Sequence, residues 1–130
     1  MSNERKPNMD KNENPWINAN DSLSDYFQIC VGVKDNNGVE LYEGDIVKFQ
    51  YSAETRRYLV EHIEGKFYAI FADRNTRAWS YWNFESIAII EETTDYKNPF
   101  TILGNKYENP ELLVDNLPMT KQELSRLLKI

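Results

Sequence analysis

The local signals along the chain agree best from Val31 to Tyr51, VGVKDNNGVELYEGDIVKFQY, where short apolar runs alternate with turn residues. Two short apolar runs, Ile29 to Val33 and Val39 to Tyr42, flank Asn37-Gly38. That pair readily takes up the positive φ of a type I′ turn, so the pattern predicts a β-hairpin. Glu43-Gly44-Asp45 then breaks the run with a second turn, in which Gly permits a bend and the Asp carboxylate can accept from nearby backbone N–H groups. From Ile46 the chain alternates, with Val47, Phe49 and Tyr51 on one face and Ile46, Lys48 and Gln50 on the other, which predicts a half-buried strand. Arg56 to Ile63 predicts the next strand, and Glu64-Gly65 turns it into GKFYAIFA, apolar nearly throughout and so a central strand covered on both faces. Ala78 to Phe84 (AWSYWNF) predicts an aromatic strand, Ser86 to Glu91 a short aliphatic one, and Phe100 to Gly104 the last, with Pro99 marking its boundary.

The pattern changes period only near the C-terminus. Thr120 and Glu123 form a capping box, Met119 is placed to staple onto Leu124, and Leu124, Leu127 and Leu128 share a helical face. A helix of roughly ten residues does not persist alone in water, so this stripe is expected to pack on something. The N-terminal residues, up to about Asn14, are nearly all Asn, Lys, Glu, Asp and Pro, a composition too polar to offset the entropy of ordering. Pro15-Trp16-Ile17 is the apolar exception, suited to docking on the chain's own domain or on a partner. The expected architecture is all-β: a polar, largely disordered tail over 1–25, a small antiparallel SH3-like barrel over 26–113, and a C-terminal helix over 114–130 packed on the barrel.

Two stretches resemble a known family. GVKDNNGVELYEGDIVK, Gly32 to Lys48, closely resembles the signature of the YopX family of small phage and prophage proteins, and ILGNKYENPELL, Ile102 to Leu113, resembles that family's closing signature. The N-terminal segment lacks the Arg-Ala-Trp-Asp stretch with which members commonly begin. The resemblance implies a YopX-like fold and a phage-derived origin, and it supplies no catalytic residues.

Composition narrows the function. The 130 residues suit one domain, and 15 Lys and Arg against 21 Asp and Glu leave a net charge of −6, which disfavours nonspecific attraction to phosphate backbones or anionic lipid. The single Cys30 cannot form an internal disulfide and, inside FQICVGV, is expected to be a small buried hydrophobe, in keeping with a reducing cytoplasm. No secretory h-region or stretch of about 18 apolar residues occurs, so a soluble cytoplasmic protein is expected. One Cys and the lone His62, read as a surface or rim residue, cannot supply the common Cys/His zinc set. The five glycines stand singly and build no phosphate loop. Glu43 with Asp45, or Glu91 with Glu92, could pair for acid–base work or Mg²⁺, but a turn supported by Asp45 and a solvated charged stretch explain them as well. No cofactor or metal is implied.

One cluster stands apart. Arg56, Arg57, Arg74 and Arg77 are interleaved with Tyr58, Trp79, Tyr81 and Trp82, the mixture of guanidinium and large aromatic groups used at protein hot spots and on single-stranded nucleic acid. By the period of two, Trp79 and Tyr81 face away from Ser80 and Trp82, so one set is expected in the core and the other partly exposed. The candidate binding residues are therefore Arg56, Arg57, Arg74, Arg77, Trp79, Tyr81 and Trp82. The expected function is a non-enzymatic accessory protein that binds another protein of host or phage, with a single-stranded nucleic-acid-binding barrel as the alternative and self-association through the C-terminal helix possible.

Overall fold

The structure is a computed structural model that describes residues 4–8, 14–17, 20, 26–50, 56–87 and 98–128. Among the described residues eight strands are formed: β1 (Glu4–Arg5), β2 (Gln28–Lys34), β3 (Glu40–Tyr42), β4 (Asp45–Phe49), β5 (Arg57–Ile63), β6 (Lys66–Ala72), β7 (Trp79–Asn83) and β8 (Phe100–Asn105). They make two antiparallel sheets, ordered β1-β2-β3 and β7-β6-β5-β4-β8. A helical turn at 84–87, a 3-10 helix (Pro110–Leu113) and the helix α1 (Lys121–Leu128) complete the described elements. None of the described helices is long and apolar enough to cross a membrane.

The two sheets are joined by the Glu43-Gly44 turn, where the chain leaves β3 and enters β4. The expected hairpin is present, as β2 and β3, but its turn differs in kind. The Asp35 carbonyl accepts from Gly38 N–H and the Asp35 N–H bonds back to the Val39 carbonyl. Positive φ falls on Gly38 and not on Asn37, which describes a longer loop closed by Gly38. The two-residue type I′ geometry sits instead at Glu64-Gly65 (φ 51° and 83°), between the paired Ile63 and Lys66 of β5 and β6.

The sheets do not close into a barrel. β7 and β8 stand at opposite ends of the five-stranded sheet, and the three-stranded sheet covers one of its faces. Closure is blocked at β8, whose outer edge is already occupied: Ile102 N–H donates to Asp35 Oδ2, Asn36 N–H to the Phe100 carbonyl, and Asn105 N–H to Asn109 Oδ1. Val33 and Leu41 of the small sheet pack against Val47, Tyr58, Val60, Ala69, Phe71 and Phe100 of the large one, with Phe84 and Ile87 from the turn after β7. The expected aliphatic strand over Ser86 to Glu91 thus begins as a helical turn that carries Ile87 into this core, and its remainder lies outside the described residues. Complete burial of side chains such as Leu41, Val47 and Phe100 contributes about 1.5–3 kcal/mol apiece.

The opposite face of the large sheet is covered as well. Ile46 and Leu59 meet Leu113, Leu112 and Trp16, while Ile63, Tyr68 and Ile70 meet Leu124, Met119 and Leu128. β4 is therefore buried on both faces at Ile46 and Val47, where alternation predicted a half-buried strand. The capping box forms, with Glu123 N–H donating to Thr120 Oγ1 and Thr120 N–H to Glu123 Oε1. Leu124 and Leu128 turn to the sheet, whereas Leu127, placed by its spacing on the same stripe, stays exposed at the margin. Trp16 docks on this face of the chain's own sheet, and Ile17 beside it is buried. Glu4 and Arg5, inside the segment expected to be disordered, form β1 along β2.

Candidate functional site

The antiparallel ladder determines what β7 offers to a partner. The Asp73 N–H donates to the Ala78 carbonyl, and the register pairs Ala72 with Trp79, Phe71 with Ser80 and Ala69 with Trp82. Because hydrogen-bonded and non-hydrogen-bonded pairs alternate, Ser80 and Trp82 spend their backbone groups on β6, and those of Trp79, Tyr81 and Asn83 point away from the sheet. No hydrogen bond to these outward groups is found among the described residues. The strand carries no Lys or Pro, the usual blunting devices of an edge.

Its side chains divide by face. Trp79 and Tyr81 stack (5.7 Å between centroids, 13° between planes) on the α1 side, where Tyr81 also meets the edge of Tyr68. Trp82 lies on the other side, stacked on Phe49 at 5.1 Å and edge-on to Phe100. The expectation that one aromatic set is core does not hold: Trp79, Tyr81 and Trp82 are 36%, 46% and 40% exposed, since an edge strand has a neighbour on one side only. At the C-terminal end of β7, burial, Tyr81 and the carboxylates of Glu64 and Glu85 push the Tyr68 phenol up.

The four arginines do not form one patch. Arg74 and Arg77 occupy the loop leading into β7, which is tied by Asp73 Oδ1 accepting from the N–H groups of Asn75 and Thr76. Arg77 there adopts φ 60°, a left-handed conformation uncommon for a side chain of its size. Arg74 donates to the Asn116 carbonyl at 3.3 Å. Arg57 donates to the Leu112 carbonyl at 3.1 Å, and Arg56 lies 5.0 Å from the centre of the Phe71 ring. These last two line a groove of about 370 Å³ that also contains Asp73 and Asp115, so its positive charge is met by carboxylates. The small pocket lined by Trp16 and Leu124 is about 20 Å³, room for about one water.

A second constellation lies under the turn joining the sheets, and sequence reasoning found only half of it. Lys106 Nζ sits 3.3 Å from Glu43 Oε1 and 3.2 Å from Glu61 Oε1. Tyr107 donates its hydroxyl to Glu43, and Gln28 Nε2 donates to the Glu43 carbonyl. Asp45, 1% exposed, accepts from Tyr42 N–H and from Arg5 Nη2 at 2.6 Å. Burial pushes its carboxyl up to about 6, against the Tyr42 N–H, Arg5 and Gln28, which pull it down. Burial lowers Lys106, but Glu61 and Glu43 outweigh it and hold the ammonium well above its ordinary range. Burial and Glu43 likewise raise Tyr107 against the pull of Lys106. Lys106 bridges two buried carboxylates and Arg5, itself partly exposed, caps a third, which makes the cluster a clasp between elements. The sequence signal was the Glu43/Asp45 pair; Arg5 and Lys106, which answer it, lie 38 and 63 residues away along the chain from Glu43.

Other candidates fall outside both places. Glu91 and Glu92 lie outside the described residues. His62 is half-buried against Phe67. Cys30 is half-exposed, with Sγ 3.8 Å from Glu40 Oε2, because alternation along β2 places it on the face opposite Val31 and Val33, which pack into the core. Among the described residues no group of three His, Cys, Asp or Glu side chains is placed to hold a metal.

A search of curated proteins found no match. A family model described as YopX protein matches residues 2–114, reaching further towards the N-terminus than the two stretches that carry the resemblance.

Proposed function

The chain belongs to the YopX protein family, and on that premise we propose that it is a non-enzymatic, phage- or prophage-derived accessory protein that works by binding another protein through β7 and the loop before it. The observation that carries this reading is the unblunted edge strand with three partly exposed large aromatics, entered from a loop holding Arg74 and Arg77. Trp, Tyr and Arg together are the side chains that dominate protein hot spots, and an open edge supplies main-chain hydrogen bonds to an extended partner segment.

Protein is favoured over nucleic acid by the local charge. Arg56 and Arg57 share their groove with Asp73 and Asp115, and Glu64 and Glu85 stand at the far end of the aromatic face. A strand of phosphates laid along β7 would leave the arginines and run onto carboxylates. Affinity capture with the tagged protein, with and without nuclease treatment, followed by titration of the captured partner, tests the reading. Nuclease-resistant capture with a flat salt response is expected, and Arg74→Glu/Arg77→Glu is expected to weaken the complex by about 1–3 kcal/mol. Capture abolished by nuclease, or affinity unchanged in the double variant, would overturn it.

A further inference from the structure

The β7 edge has a property that most partner segments could not use and one segment matches throughout. Its outward residues, Trp79, Tyr81 and Asn83, are spaced symmetrically about Tyr81. Arg77 lies two residues before the strand and Glu85 two residues after it, both exposed. We propose that the strand accepted at this edge is β7 of a second copy of the chain, paired antiparallel about a two-fold axis at Tyr81; the inference rests on β7 being a binding edge.

In that arrangement Tyr81 meets Tyr81 of the second copy and Trp79 meets its Asn83, so the outward N–H and C=O groups of each copy find those of the other. The same rotation brings the Arg77 end of each strand to the Glu85 end of the other, and the edge is self-complementary in charge as well as in hydrogen bonding. A parallel pairing would set Arg77 beside Arg77 and Glu85 beside Glu85. The opposite edge cannot compete, because β8 is already closed by Asp35, Asn36 and Asn109. Trp79 and Tyr81 lie on one face of the joined sheets, so they would lose exposure on pairing, and their environment reports on it.

Mass by light scattering, measured with the full chain from low micromolar to near-millimolar concentration, tests the proposal. Wild type is expected to pass from monomer to dimer. Tyr81→Pro removes an outward N–H without touching the bonds to β6, and is expected to remain monomeric while its far-ultraviolet circular dichroism matches wild type. Arg77→Glu and Glu85→Arg are each expected to weaken dimerisation at least about tenfold by setting like charges together, and the double exchange Arg77→Glu/Glu85→Arg to restore it, a rescue that does not depend on Tyr81→Pro folding. A wild-type chain monomeric throughout the range, or a dimer insensitive to the charge exchanges, would overturn the proposal. So would a dimer dispersed only by Leu127→Asp, which would place the interface on α1. None of these failures touches the reading of β7 as a protein-binding edge, which is tested separately, by nuclease treatment of the captured complex and by the captured partner's response to Arg74→Glu/Arg77→Glu.

Discussion

Replacing Lys106 by Met tests whether the clasp between the sheets is held by charge. Met keeps the apolar stem and removes the ammonium that lies 3.3 Å from Glu43 and 3.2 Å from Glu61. The three side chains are 13%, 6% and 7% exposed, so water cannot replace the lost cation. Removing one partner of a buried ion pair costs about 3–5 kcal/mol, because the uncompensated charge stays buried. A domain above the lower end of the ordinary range of about 5–15 kcal/mol would survive that loss and remain measurable. Urea unfolding of wild type and variant at pH 7.5 is the assay. Adding Glu43→Gln and Glu61→Gln to Lys106→Met should recover most of the loss. A deficit below about 1 kcal/mol at pH 7.5, or one that the two Gln exchanges fail to relieve, would refute the reasoning.

Three further outcomes are expected. Burial sets the Asp45 carboxyl at about 6, above its ordinary 3.8, so its ionised form opposes folding above pH 6 and that cost is gone below about pH 4. Arg5→Gln should therefore cost about 1–3 kcal/mol at pH 7.5, where ionised Asp45 loses its charged donor, and less at pH 4.5; equal costs by urea unfolding would contradict this. Gly44→Ala should cost more than Gly38→Ala in thermal melts: both have positive φ, but an added Cβ at Gly44 would lie 2.5 Å from the Tyr107 ring, whereas at Gly38 it meets nothing within 4 Å. Leu124→Ala should destabilise by about 2–5 kcal/mol, the usual cost of truncating a buried Leu, and a loss under about 1 kcal/mol would mean that α1 is not anchored on Ile63, Tyr68 and Ile70.

Elements defined by local chemistry were legible in the sequence. Gly38, Glu64-Gly65 and Gly44 marked turns because only a few residues tolerate those backbone angles, and Thr120 with Glu123 marked the helix start because the cap is closed within four residues. What failed was whatever depends on distant partners. Alternation could not tell that Ile46 would be covered by Leu113, or that Arg5 in a polar tail would find Asp45 across 40 residues. The barrel was inferred from strand count, while the decision against closure lies in side chains, Asp35 and Asn109, that occupy the β8 edge. Of the candidate site, the aromatic strand and the Arg74/Arg77 loop lie together as read; Arg56 and Arg57 belong to a separate groove because β5 carries them to the far side of β6 from β7.

The central claim, that β7 is the edge through which this protein binds its partner, is tested most directly by amide hydrogen exchange residue by residue, free at low concentration and in complex. In the free chain the N–H groups of Ser80 and Trp82, bonded to β6, should exchange slowly, and those of Trp79, Tyr81 and Asn83 quickly. In the complex the account predicts protection of Trp79, Tyr81 and Asn83 with little change at Ser80 and Trp82. Protection confined to the Arg56/Arg57 groove or to α1, with the three outward amides still exchanging freely, would contradict it.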